Sequence, residues 1–224
     1  MLSGHFGVHY CGEEAWEREF GMFPVSTFAK SSLILAVLSG VASSASAELF
    51  VASSQSVFNE LVEGFDGSVI GQTFGGYSGY YESGLSGGSG DAAWTAEAAG
   101  GLYADFEIMS TNVSSVALTF NFSSANVFAV GGNFFNTNWD FSTGPGLVKV
   151  VVGGVSFVLP SSPSSFAGFV SSSGSISSIS IVRYGAAAAG TYASTSSLSI
   201  GVIPAPGAVA LLGIAGLSVR RRRA

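Results

Sequence analysis

Cysteine and histidine are scarce in this chain, and its long central segment has neither. The 224 residues include one cysteine, Cys11, and two histidines, His5 and His9, all of which precede Met22. Residues 48–203 therefore lack the side chains needed for a disulfide, a Cys/His zinc site, or a nucleophile activated by imidazole. A domain formed by this segment must be stabilised by its own apolar core, and about 155 residues are enough for one.

Positive charge is almost as scarce in the same segment. Lys149 and Arg183 are its only cations against ten carboxylates, so residues 48–203 carry a net charge of −8. A surface of this sign repels phosphate backbones and anionic lipids, which excludes nucleic acid as a partner. Because charged residues are few, serine, threonine, asparagine and glycine must form most of the surface.

The C-terminal segment 204–224 combines a turn, a short apolar run and a block of positive charge. Its three parts are the tripeptide Pro204-Ala205-Pro206, an apolar run over residues 208–219, and Arg220, Arg221, Arg222 and Arg223. The run predicts a short hydrophobic helix of about 18 Å, less than the roughly 30 Å hydrocarbon core of a bilayer. The segment therefore predicts a marginal membrane anchor, with the arginines on the cytoplasmic side.

This tail resembles the PEP-CTERM sorting signal of exported bacterial proteins, which exosortases process. The commonest form of that signal has glutamate in the middle of the tripeptide, where this chain has Ala205. The resemblance implies export to the cell envelope, a transient anchor in the inner membrane, and two partners, the secretion translocon and an exosortase-type processing enzyme. An ordinary C-terminal anchor, or a buried apolar helix with a basic end, is the alternative interpretation.

The N-terminal region has the three parts of a secretory signal peptide. Lys30 precedes an apolar run over residues 33–41, and a small-residue cleavage site follows at Ala45 and Ala47. The pattern predicts a signal helix and makes Glu48 the first residue of the mature chain.

Residues 1–21 do not fit that signal, because they contain Glu13, Glu14, Glu17 and Glu19 where positive charge is needed. We expect translation to begin at Met22, so that residues 22–47 are the signal peptide and residues 1–21 are an untranslated extension. An unusually long signal peptide is the alternative.

Between the two signals, alternation of apolar and polar residues predicts an all-β, antiparallel sandwich. Strands are predicted at residues 102–108, 116–122, 127–135, 147–152, 155–159, 166–170, 176–182 and 192–200. Gly153-Gly154 predicts a two-residue hairpin turn, whereas Gly131-Gly132 predicts a bulge or sharp bend.

Two further segments of the same domain are less regular. Residues 56–65 predict a short helix with Ser56 as its N-cap and with Phe58, Leu61 and Val62 facing the core; a covering strand is the alternative. Residues 71–90, rich in glycine, serine and tyrosine, predict a long irregular loop.

The order of strands over residues 100–200 is similar to that of the jelly-roll-type β-sandwich found in many PEP-CTERM proteins. Such domains broadly resemble lectin-like and carbohydrate-binding modules, and the resemblance implies a fold rather than an activity. Related sequences commonly carry Asp-Asn in the last strand, where this chain has Thr195, Ser196 and Ser197. A function that depends on the Asp-Asn pair is therefore not implied.

Aromatic side chains in two loops indicate sugar binding, because aromatic rings stack on the apolar face of a pyranose while polar groups bind its hydroxyls. The candidate glycan contacts are Tyr77, Tyr80, Tyr81, Trp94, Trp139 and Asp140, with Asn136 and Asn138 beside them. The alternative is that these aromatics fold back onto the core. An extracellular polysaccharide is thus the candidate ligand.

Carboxylates offer two other chemistries. Asp105 and Glu107 would share the outer face of the strand predicted at residues 102–108, where a carboxylate pair can divide the acid and base roles of glycoside hydrolysis. The alternative is that both are solvated residues of a polar strand face. A structural Ca²⁺ is a second candidate, with ligands from Glu63, Asp66, Asp91 and Asp140, although no Asp-x-Asp-x-Asp loop is present.

Taken together, these patterns predict a non-enzymatic exported protein of the cell surface or extracellular matrix, with glycan contacts as its candidate binding activity. A carboxylate-dependent glycan hydrolase of the envelope is the alternative function. We expect no catalytic residues and no cofactor.

Overall fold

Alternating apolar side chains fold residues 48–203, the part of the chain described by the computed structural model, into two antiparallel β-sheets. The larger sheet contains β1 (Leu49–Ala52), β2 (Ser68–Thr73), β3 (Gly79–Tyr81), β6 (Leu102–Asp105), β7 (Ile108–Thr111), β9 (Val127–Thr137), β12 (Phe166–Ser171) and β14 (Tyr192–Val202). The smaller sheet contains β4 (Leu85–Gly87), β5 (Trp94–Glu97), β8 (Leu118–Phe122), β10 (Leu147–Val152), β11 (Val155–Pro160) and β13 (Ser178–Tyr184). One α-helix, α1 (Gln55–Gly64), and two short 3-10 turns, Gly90–Ala92 and Ala186–Ala188, complete this described part.

The chain passes repeatedly between the two sheets. The larger sheet has the order β1-β12-β9-β14-β7-β6-β3, with β2 also paired to β14, and the smaller has the order β11-β10-β13-β8-β5-β4. From β8 onward, every connection except the β10–β11 hairpin crosses from one sheet to the other. The predicted all-β, jelly-roll-like sandwich is confirmed.

The space between the sheets is filled by large apolar side chains. Its fully buried members include Phe74, Leu102, Met109, Leu118, Phe120, Phe134, Phe169, Ile179, Ile181 and Leu198. In β8 the alternation is clean, since Leu118, Phe120 and Phe122 are buried while Thr119 and Asn121 between them are half-buried. A side chain of this size contributes about 1.5–3 kcal/mol when fully buried, so this layer replaces the disulfides that the domain cannot form.

Helix α1 covers the opposite face of the larger sheet. Phe58 and Val62 are fully buried and pack in a second apolar cluster with Phe128 and Val170, while Leu61 is only partly buried. This explains why β9 and β12 are buried almost throughout. The predicted helix is confirmed with a correction at its start. Its N-cap is Ser54, whose hydroxyl accepts the Val57 N–H at 3.3 Å, and not Ser56.

The glycine pair Gly131-Gly132 lies in a continuous strand, so the predicted bulge at this position is wrong. The register shifts of the β14–β9 pairing fall elsewhere, between Thr195 and Ser197 and between Gly201 and Val202 of β14. The glycines are required by close approach instead: a Cβ on Gly132 would lie 2.3 Å from the Ser197 carbonyl oxygen.

The strand predicted at residues 102–108 is a hairpin, which is a second correction. β6 and β7 pair through Asp105 and Ile108, and the two residues between them, Phe106 and Glu107, have φ of +50° and +66°. Two consecutive left-handed residues make the tight turn whose twist matches a hairpin. Phe106 therefore lies 78% exposed at the turn instead of facing the core.

The hairpin predicted at Gly153-Gly154 is confirmed, with φ of +55° and +84° at the two glycines. The long loop predicted at residues 71–90 is wrong in part, because it contains the end of β2 and the edge strands β3 and β4. The predicted extension 1–21, signal peptide 22–47 and sorting signal 204–224 lie outside the described residues. Within residues 48–203, neither length nor apolar character lets any helix cross a bilayer.

Candidate functional site

The segment Asn138–Ser142, which follows β9 and is here called the aromatic loop, is held by its own hydrogen bonds. The Asn138 N–H donates to the Ser142 carbonyl at 2.9 Å, and the Phe141 N–H donates to the Asn138 carbonyl at 3.1 Å. Phe141 has φ of +62°, a conformation that a bulky residue rarely adopts. The loop thereby presents Trp139, which is 83% exposed, and Phe141 on the surface.

Asp140 contributes to this loop through its carboxylate. Its Oδ1 accepts the Ser142 hydroxyl at 2.6 Å and the Ser142 N–H at 3.1 Å. These bonds, the hydroxyl bond first, hold the pKa of Asp140 below its ordinary value. Asp140 therefore closes the turn that carries the two aromatic rings.

The sheet surface facing this loop is formed by β6, β7 and β14. Tyr103 is 41% exposed, and its ring lies 5.2 Å from the ring of Tyr80 on the paired strand β3. The Tyr80 hydroxyl donates to the Gly100 carbonyl at 3.2 Å, and the Asn112 amide donates to the same carbonyl at 2.9 Å. Tyr103 is thus supported from behind by a ring that is itself fixed.

Loop and sheet together enclose a cleft of about 260 Å³, here called the aromatic cleft. Its lining consists of Tyr103, Ser110, Thr111, Asn112, Asn138, Trp139, Phe141 and Tyr192. Four of these residues are aromatic, four carry a hydroxyl or amide without a ring, and none is charged. This is the composition of a site for a ligand with apolar faces and many hydroxyls.

Three buried hydroxyls join the strands beneath the cleft. The Ser194 and Thr137 hydroxyls lie 2.7 Å apart, and Ser194 donates to Ser110 at 2.9 Å. These residues belong to β14, β9 and β7, so the cluster ties the strand that precedes the aromatic loop to the floor of the cleft. The neighbouring Thr111 hydroxyl is buried and has no partner among the described protein atoms.

The residues predicted as glycan contacts are divided between several places. Trp139 lines the aromatic cleft, Tyr80 supports it, and Asp140 braces its loop. Trp94 is only 3% exposed and contacts Phe120 edge-on at 5.4 Å between ring centroids, so it belongs to the core.

Tyr77 and Tyr81 also lie away from the cleft. Tyr77 packs against Trp94, with 6.1 Å between the ring centroids. Tyr81 is half-buried, and its hydroxyl donates to the Ser78 carbonyl at 3.2 Å. Asn136, which the sequence placed beside the candidates Trp139 and Asp140, is fully buried. Its amide donates to the carbonyls of Pro145 and Leu147.

Sequence reasoning missed Tyr103, Phe141 and Tyr192. Tyr103 and Tyr192 were visible only as members of predicted strands, and their proximity depends on how those strands are ordered in the sheet. Phe141 lines the cleft with a backbone of positive φ, a conformation that the residue types of this segment do not indicate.

A second depression of about 480 Å³ lies beside β5 and β8. It is larger than the aromatic cleft, but small residues such as Gly87, Gly88 and Ala93 form much of its lining, and its two aromatic residues, Trp94 and Phe122, are buried. It offers no exposed ring for stacking, so the aromatic cleft is the better candidate.

Asp105 and Glu107 do not share a strand face, contrary to the prediction. Asp105 ends β6 and accepts the Phe106 N–H at 2.9 Å, while Glu107 is the second residue of the turn. The geometric reason for pairing them as acid and base is therefore lost.

The four predicted calcium ligands are also dispersed. Glu63 and Asp66 lie at the end of α1, while Asp140 braces the aromatic loop. Asp91 accepts hydrogen bonds from Ser124 at 2.7 Å and Asn126 at 3.1 Å, and these, Ser124 first, lower its pKa. Within residues 48–203, no three carboxylates are grouped closely enough to hold a metal ion.

Comparison with protein-family models, with curated proteins and with solved structures finds no match to this chain.

Proposed function

We propose that this chain is an exported, non-enzymatic protein of the cell surface or extracellular matrix that binds polysaccharide through the aromatic cleft. The observation that carries the proposal is the lining of the cleft, with four aromatic rings beside hydroxyl and amide groups. Rings supply faces for the C–H surfaces of sugar residues, and the polar groups replace hydrogen bonds that sugar hydroxyls make with water.

The hydrogen bonds of the aromatic loop support this proposal energetically. Binding is weakened when loops and side chains must be ordered at an interface. Here Trp139 and Phe141 project from a turn already closed by Asn138, Asp140 and Ser142. Part of that ordering is complete before a ligand arrives.

Export is supported by the two terminal segments. Residues 22–47 have the pattern of a signal peptide, and residues 204–224 resemble a PEP-CTERM sorting signal. The alternative function, a carboxylate-dependent hydrolase, was suggested by Asp105 and Glu107 sharing one strand face, and these two residues do not share one.

Binding is tested with the full chain, purified in mild detergent, against immobilised polysaccharides. We expect Trp139→Ala to weaken binding about tenfold, which corresponds to the upper range of one aromatic stacking contact. Tyr184→Ala is the matched control, because Tyr184 is an exposed ring of the smaller sheet. Equal loss in both variants, or no binding by the unaltered chain, would contradict the proposal.

Sorting is tested separately by replacing Arg220–Arg223 with serine in the producing cells. We expect the replacement to change the fraction in which the protein is recovered or the mass of the recovered product. An unchanged distribution and mass would remove the support that the tail gives to a sorting role.

A further inference from the structure

We infer that the aromatic cleft selects uncharged sugar chains and discriminates against acidic ones. This inference rests on the proposed function and names the chemical class of its ligand. It follows from where the described residues place their charges.

The lining of the cleft provides no charged partner for a ligand. Its accessible polar groups are the amides of Asn112 and Asn138 and the hydroxyls of Tyr103 and Tyr192, because the Ser110 and Thr111 side chains are buried. Neutral donors and acceptors of this kind suit sugar hydroxyls. A carboxylate or sulfate that enters such a site loses hydration without gaining a cation, which is unfavourable.

The two cations of residues 48–203 are both in the smaller sheet, and both are engaged. Arg183, on β13, donates to the carbonyls of Ser114 and Ala188. Lys149, on β10, lies over the ring of Tyr184 at 5.5 Å from its centroid. The cleft lies on the larger sheet, so neither cation is placed to bind an acidic sugar there.

The net charge of −8 on residues 48–203 adds a long-range electrostatic repulsion of acidic polysaccharides. An acidic polysaccharide approaching this domain is repelled at low salt, which reduces its rate of association as well as its affinity. The uncharged lining of the cleft and the negative net charge of the domain therefore both weaken the binding of acidic polysaccharides.

The experiment compares two glycans of equal length, a neutral glucose polymer and a uronate-containing polymer. Each is titrated calorimetrically into the full chain at low and high salt. We expect the neutral polymer to bind at least tenfold more tightly than the uronate polymer at high salt, with an affinity that salt changes less than twofold. Trp139→Ala should weaken that binding about tenfold.

A gain-of-function variant tests the charge argument directly. Asn112→Lys places one cation on an exposed residue of the lining, and we expect it to raise affinity for the uronate polymer at least fivefold. Asn112→Gln is the uncharged control and should not raise uronate affinity.

The outcomes separate the two proposals. Preferential binding of the uronate polymer by the unaltered chain, still sensitive to Trp139→Ala, would overturn this inference and leave the proposed function standing. Failure of both polymers to bind would count against both proposals, as would binding that Trp139→Ala leaves unchanged.

Discussion

At Phe141, the backbone conformation that places a ring in the candidate site also lowers the stability of the protein. A non-glycine residue at φ of +62° is strained by roughly 1–2 kcal/mol relative to glycine. The strain persists because the hydrogen bonds of the aromatic loop hold the turn, and its result is a ring in the cleft. Strain of this kind is often concentrated at binding sites.

Phe141→Gly should therefore separate stability from binding. We expect the free energy of unfolding of this variant to equal that of the unaltered chain or to exceed it by up to about 1 kcal/mol. Polysaccharide affinity should fall severalfold, because the ring is removed. Phe141→Ala removes the ring but keeps the strain, so it should bind equally poorly and be less stable than Phe141→Gly. Denaturant unfolding and binding titrations measure the two effects, and equal stability of both variants would contradict the strain argument.

The pKa of Asp140 gives the aromatic loop a defined response to acid. A carboxyl group whose pKa is lower in the folded than in the unfolded protein stabilises the fold above its unfolded value of 3.8, and this is lost as pH falls through the lower folded value. We expect polysaccharide affinity to be constant from about pH 8 to 5 and to decline only below the ordinary range of an aspartate.

Asp140→Asn is the control for this pH dependence. The asparagine keeps an acceptor oxygen but no charge, so binding should be weaker at neutral pH and should lose the decline in acid. A decline of the same size in this variant would show that another group titrates.

At the scale of elements, the start of α1 distinguishes two serines that the sequence presents as equivalent. Ser54 caps the helix through its hydroxyl, whereas Ser56 lies within the first turn. We expect Ser54→Ala to lower the free energy of unfolding by about 1 kcal/mol, and Ser56→Ala to have a much smaller effect. Chemical denaturation measures both, and a larger loss at Ser56 would contradict the assigned cap.

The β6–β7 turn can be improved, because two residues with side chains occupy left-handed positions there. The double variant Phe106→Asn, Glu107→Gly supplies the residues that such a turn favours. We expect it to raise the melting temperature by several degrees, as a gain of about 1 kcal/mol does in a domain of this size. The double variant Phe106→Asn, Glu107→Val should lower it, since a β-branched residue at the second position resists positive φ.

Much of the fold could be predicted because its strongest signals are local. The alternation in β8 and the glycine pair between β10 and β11 depend only on neighbouring residues, and both predictions are confirmed. The β6–β7 hairpin was missed because its turn has no glycine. Phe106 and Glu107 continue the alternation of the strands on either side, so the sequence pattern conceals the turn.

The candidate site was less predictable than the fold. Trp139 was identified because it lies in a cluster of asparagine and aspartate residues. Trp94, beside the segment rich in glycine, serine and tyrosine, was an equally good candidate by sequence but is buried. The difference is that Trp94 lies on β5 with its side chain in the core, whereas Trp139 lies in the aromatic loop, outside the strands. The partners of Trp139, such as Tyr103 and Tyr192, come from strands that are distant along the chain and meet only in the sheet order.

At the scale of the whole molecule, long-range pairings dominate. β1 pairs with β12 through Leu49 and Ser171, and the Ser199 hydroxyl donates to Gln55 at 3.0 Å. Folding must close such loops before their contacts stabilise the chain, and sandwiches of this kind fold in milliseconds to seconds. We expect refolding of the full chain from denaturant to fall in this range, as measured by tryptophan fluorescence, and refolding in microseconds would contradict the described pairings.

The position of β14 has a consequence for biosynthesis. This strand is the last of the described chain, yet it lies inside the larger sheet, where β9 pairs along one edge and β2 and β7 share the other. A ribosome adding about 5–20 residues per second needs roughly 10–40 s to reach Val202, and the sheet stays divided throughout that interval. A nascent chain that lacks this central strand cannot complete the larger sheet, so the sandwich can close only after Val202 has been synthesised.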